Sequence, residues 1–82
     1  MILQRQETQV LTIRATVVRI GDRLKRLRNE RYLSQRELAR AAGLSPATIF
    51  KLENDLAEPH PSTIRKLAQA LDVAPSELAP IQ

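Results

Sequence analysis

Thirteen Lys and Arg, nine Asp and Glu, four serines and one histidine are the main chemically active groups in these 82 residues. Their placement favours holding a polyanion over running a reaction. From Arg14 to Lys51 ten basic residues stand against three acids, a net +7; from Glu53 onward two bases face five acids, a net −3. A nucleic-acid-binding face needs positive charge concentrated in this way, although a run of charge on a helix also serves simply to solvate an exposed face. The serines (Ser34, Ser45, Ser62, Ser76) lie at or beside helix starts, where capping or N-terminal polarity accounts for them. His60 stands between two prolines and suits a cap better than a general base. The carboxylates are dispersed, and two glycines leave no phosphate-cradling loop, so no enzyme is expected. Without cysteine and with one histidine, neither a disulfide, a metal site nor another cofactor is expected.

The elements that position these groups are clearest between Ser34 and Asn54. Ser34 followed by Glu37 forms a capping box, which satisfies two orphan donors at a helix start. Leu38, Ala39 and Ala42 then share one face at helical spacing. Gly43 ends that helix, because glycine takes the left-handed conformation without a Cβ penalty. Leu44 follows as an apolar anchor. Ser45 caps a second helix with Pro46 at its first position, where a missing N–H costs nothing. Ile49 and Leu52 point inward from it, leaving Pro46, Ala47, Phe50, Lys51 and Asn54 outward.

Around this pair the periodicity predicts an earlier helix from Val18 to Arg31, with Ile20, Leu24 and Leu27 toward the core. A later helix starts at Pro61 with His60 at its cap and buries Ile64, Leu67, Ala68 and Leu71. Asp72 ends it, since aspartate visits the left-handed region better than most residues. A last short helix is led by Pro75; Ala74 at its cap offers no side-chain acceptor, so it should fray. Eighty-two residues make one domain with a modest core.

This pattern resembles the Cro/lambda-repressor-like (Xre-type) helix-turn-helix family. Gln35, Ala39, Gly43 and the apolar set Leu38, Leu44, Ile49 and Leu52 carry the likeness, which extends from about Ile20 to Leu78. It implies an all-α, five-helix lambda-repressor-like domain over residues 18–79. The second helix of the pair would lie in the major groove with its N-terminal half nearest the bases. Ser45, Pro46, Ala47, Thr48, Phe50 and Lys51 are then the candidate DNA-binding residues. Lys51 would donate to guanine, Thr48 would bond a base or phosphate, and Ala47 would allow close approach or meet a thymine methyl. Gln35, Arg36 and Asn54 are the candidate phosphate contacts. Phe50 departs from the family's usual small polar residue. It either touches thymine methyls or folds over the domain surface or the N-terminal arm. Tyr32 stands where the family usually has glycine, either tolerating a strained backbone or re-routing the loop. Asp55 and Glu58 replace bases common in relatives and weaken the phosphate clamp expected there.

Residues 1–17 lie outside the likeness, and residues 80–82 form a short tail. Val10 to Val18 is rich in β-branched residues without glycine or proline, a composition that favours a strand. A lone strand needs a partner, here a second copy, which makes Leu11, Ile13 and Val17 the candidate dimerisation residues. A fraying tail and an extension of the first helix are the alternatives. The resemblance implies a sequence-specific transcriptional regulator, a repressor acting as a homodimer on a palindromic operator in double-stranded DNA. The alternative class is an antitoxin that binds a toxin protein and represses its own promoter. No apolar run spans a bilayer and no signal peptide is evident, so a cytoplasmic location without membrane contact is expected.

Overall fold

The computed structural model describes residues 19–79, which form five helices: α1 (Gly21–Glu30), α2 (Gln35–Ala42), α3 (Pro46–Glu53), α4 (Pro61–Leu71) and α5 (Pro75–Leu78). Among the described residues there is no strand. The strand expected at Val10 to Val18, with Leu11, Ile13 and Val17, lies outside them.

Helix α2 sits at the centre, packed against α3 on one side and α4 on the other, while α5 bridges α4 and α1, and α1 also meets α3. The core is one apolar cluster fed by every helix. Ile20, Leu24, Leu38, Ile49, Leu67, Leu71 and Leu78 are its largest fully buried side chains. Each buried aliphatic residue of this size contributes about 1.5–3 kcal/mol relative to exposure. The predicted inward positions are buried except Ile64, which is half-buried against the cluster.

Helices α1 to α4 share one way of ending. In each, a residue one position (α2, α4) or two positions (α1, α3) past the helix turns left-handed, and its N–H, with that of the next residue, closes back onto the last turn. These residues are Tyr32 (φ 55°), Gly43 (φ 71°), Asp55 (φ 55°) and Asp72 (φ 57°). At the second of them Gly43 N–H donates to Arg40 O at 3.3 Å and Leu44 N–H to Ala39 O at 2.8 Å; the other three repeat the pattern. This double closure satisfies carbonyls that a helix end otherwise orphans. The following residue is apolar every time: Leu33, Leu44 and Val73 pack on the core, whereas Leu56 stays exposed. Tyr32 therefore tolerates the strained backbone and does not re-route the loop.

Helix starts are less uniform. The Ser34–Glu37 box is complete, at 2.9 and 2.8 Å. Helix α1 begins at Gly21 and not at Val18 as predicted, because its first N–H is capped from another element: Asp55 Oδ1 accepts from Gly21 N–H at 3.2 Å. A Cβ at Gly21 would lie 2.5 Å from Glu53 O, so only glycine lets α1 approach the end of α3 this closely. His60 occupies the cap position of α4 without a side-chain hydrogen bond. At α5 Glu77 reaches back to Ala74 N–H at 3.0 Å and Leu78 is fully buried, two contacts that oppose the expected fraying.

Candidate nucleic-acid interface

Burial of Ile49 and Leu52 against α2 fixes which side of α3 faces outward. Pro46, Ala47, Phe50 and Lys51 are exposed along that side, and Phe50 keeps half of its surface open. At the N-terminal end Ser45 Oγ accepts from Thr48 N–H at 3.2 Å and lies 2.8 Å from Thr48 Oγ1, so the two hydroxyls act as one unit. Arg36 and Arg40 are exposed on α2. Asn54, just past α3, donates through Nδ2 to Phe50 O at 2.8 Å and closes the helix end.

Gln35, the first residue of α2, is half-buried, and its side-chain amide turns inward. Its Nε2 donates to Glu53 Oε1 at 3.1 Å. Glu53 is the one buried charged residue among those described, and it also accepts from Arg28 through both carboxylate oxygens, with Arg28 Nη2 at 3.0 Å. Arg28 Nη1 donates to Leu33 O at 2.8 Å. The hydrogen bond to Glu53 pushes the Arg28 guanidinium pKa above its ordinary value. One carboxylate thus ties the end of α3 to α1, to the start of α2 and, through Arg28, to the loop between them.

Of the ten basic residues counted from Arg14 to Lys51, Arg28 is withdrawn from any polyanion face, since its charge is spent on Glu53. Asp55 likewise caps α1. Glu53 carried no role in the sequence reading, yet a signal was present. It lies four residues after Ile49, on the same buried stripe, where a carboxylate needs a cation.

Residues 24–78 match the helix-turn-helix family model HTH_3. The chain belongs to this helix-turn-helix family. As a member it is 44% identical over 54 residues to the HTH-type transcriptional repressor RghR of Bacillus subtilis (strain 168), covering 65% of this chain and 40% of that protein. To the immunity repressor protein of Bacillus phage phi105 it is 37% identical over 59 residues, 72% of this chain and 41% of that one. The chain spans about two fifths of the length of these curated relatives. Among solved structures it resembles the restriction-modification controller protein C.AhdI from Aeromonas hydrophila, with a TM-score of 0.73, 39% identity, and coverage of 78% of this chain and 97% of that chain. It also resembles the P22 c2 repressor in complex with synthetic operator, with a TM-score of 0.68, 25% identity, and coverage of 76% and 96%. Among the described residues no group of three or more His, Asp or Glu is placed to hold a metal ion, and no helix is long and apolar enough to cross a membrane.

Proposed function

We propose that this chain is a sequence-specific transcriptional regulator, a repressor that binds its operator in double-stranded DNA as a homodimer with α3 in the major groove. The carrying observation is the α2–turn–α3 unit itself. Its inner faces are locked by Leu38, Ala39, Ile49 and Leu52, and its outer face presents Ala47, Phe50 and Lys51 to solvent beside exposed arginines. The likeness to an operator-bound repressor over nearly all of that chain supports the same placement.

Within this reading Lys51 donates to guanine O6 or N7, and the Ser45–Thr48 hydroxyl pair meets a base edge or phosphate. Pro46 and Ala47 keep the start of α3 slim enough to enter the groove. Gln35, Arg36 and Asn54 hold phosphates, with the free backbone N–H groups at the start of α2 favouring an anion. Gln35 Nε2 keeps one hydrogen for this purpose while Glu53 takes the other.

Titrating duplex DNA with the chain across salt concentrations tests the proposal. Each phosphate contact steepens the fall of log affinity with log salt by about 0.9. Several such contacts by Lys or Arg should give a slope of several units; Arg36→Ala should reduce it by about one, whereas Gln35→Ala should weaken binding to all duplexes alike with the slope unchanged. A flat salt dependence, or no duplex binding at low salt, defeats the reading.

A further inference from the structure

The outer face of α3 carries little hydrogen-bonding chemistry. Pro46 and Ala47 are exposed and apolar, Phe50 is half exposed, and Lys51 is the one charged side chain beside them. Ser45 and Thr48 bond to each other and to the helix start, which leaves one hydroxyl hydrogen between them for DNA. The Asn54 amide is tied to Phe50 O. Adenine is ordinarily read by a bidentate Asn or Gln, and guanine by a bidentate Arg; α3 has neither between Pro46 and Glu53. What remains for base discrimination is apolar contact, one ammonium and that single hydroxyl.

The chemical character of that face selects its occupant. No carboxylate occurs between Glu37 and Glu53, and Glu53 is itself buried and paired with Arg28. Arg36, Arg40 and Lys51 are exposed on α2 and α3. An apolar strip beside exposed cations, of which Arg40 alone has a carboxylate, Glu37, within electrostatic reach, fits a polyanion that displays methyl groups. In the major groove the apolar group a base pair offers is the C5 methyl of thymine.

Resting on the DNA-binding reading above, we propose that α3 selects its site by the C5-methyl groups of pyrimidines, seated against Ala47 and Phe50, while Lys51 donates to a neighbouring guanine. A C5 methyl occupies the same place in the groove on thymine and on 5-methylcytosine. Affinity therefore responds to cytosine-5 methylation of the operator at the contacted positions, a means of regulation that requires no ligand-binding domain.

The test starts from the tightest duplex selected by the whole chain out of a random-sequence library. Each thymine in it is replaced singly by deoxyuridine, which deletes the methyl and leaves every hydrogen-bonding group. At one or two positions per half-site affinity should fall roughly fourfold, the worth of one buried carbon group. At those positions a cytosine–guanine pair should bind weakly, and 5-methylcytosine should recover a similar factor. Phe50→Ala, whose exposed side chain makes unfolding an improbable cost and whose helicity is checked by circular dichroism, should lose most of the sensitivity at one position. Ala47→Gly should blunt it at another.

Unchanged affinity with deoxyuridine at every position overturns the inference while leaving the regulator reading intact. A methyl effect that survives in both variants overturns the assignment to Ala47 and Phe50. Loss of self-association in Phe50→Ala with undiminished methyl sensitivity places Phe50 in a protein interface instead. If no duplex binds at low salt, the regulator reading falls and this inference with it.

Discussion

Substituting Glu53 by Gln removes the acceptor charge that holds Arg28, whose side chain is only 11% exposed. Leaving a mostly buried cation without its partner costs about 3 kcal/mol, a large share of the stability of a domain this small. Urea denaturation of Glu53→Gln should show that loss; a change below about 1 kcal/mol would mean the ion pair is not a main tie between α1 and α3. The two glycines separate two other mechanisms. Gly43→Ala meets no atom within 4 Å, so its cost is conformational, about 1–2 kcal/mol, and Gly43→Asn should recover part of it. At Gly21 the obstacle is the Glu53 carbonyl, so alanine and asparagine should both destabilise, by about 1–3 kcal/mol or more. Equal behaviour at the two sites would contradict this division. The residue scale is also where the sequence misled most. Ile49 and Leu52 announce an inward stripe, but that stripe includes Glu53, and a reading that counts charges without asking which face they occupy assigns Arg28 to solvent. Asp55 looked like a defect in a phosphate clamp because its partner, the Gly21 N–H, lies 34 residues away.

Elements were far more legible, because their signals are local. Gly43 and the Ser34–Glu37 and Ser45–Pro46 starts all declare themselves within four residues, and the structure has α2 and α3 as read. The start of α1 was misplaced by three residues, since β-branched residues before it carry no stop signal and the cap comes from Asp55. The repeated left-handed closure was only half visible: Gly43 and Asp72 were foreseen, Tyr32 stood open, and Asp55 was missed. Tyrosine is a costly choice there. Tyr32 is 93% exposed, so Tyr32→Gly forfeits no burial and should raise stability by about 1 kcal/mol in thermal or urea unfolding. An unchanged or lower stability would indicate that the ring has a use the fold does not require. At the start of α2 the Glu37 carboxyl is held below the usual carboxylate range, chiefly by the Ser34 backbone N–H and then by the Ser34 hydroxyl. A carboxyl lowered in the folded state stabilises above its ordinary pKa, about 4.3 for glutamate, and loses that contribution as pH falls through the lower folded value. Glu37→Gln should flatten the acid limb of the stability profile in that window. An acid limb of unchanged slope would mean the box does not contribute to it.

For the whole molecule, helix α2 is the hub, and Glu53 fixes how its N-terminus sits relative to the end of α3. Both proposed DNA-contacting elements are therefore held as one rigid unit, which is what a reader of base edges requires. The proposed homodimer belongs to this scale too: sedimentation should give twice the chain mass for the whole chain and the single-chain mass without residues 1–17, and a monomeric whole chain would contradict it. A truncated form that remains dimeric would move the interface onto the helical domain. The claim on which the account turns is that α3 distinguishes one base sequence from another. Measuring affinity for the selected duplex and for a scrambled duplex of equal length, at one salt concentration, for the chain and for Lys51→Ala, tests it most directly. The account predicts a clear preference for the selected duplex, with Lys51→Ala losing about 1–3 kcal/mol there and little on the scrambled one. Equal affinity for both duplexes, or a uniform loss in Lys51→Ala, would contradict it.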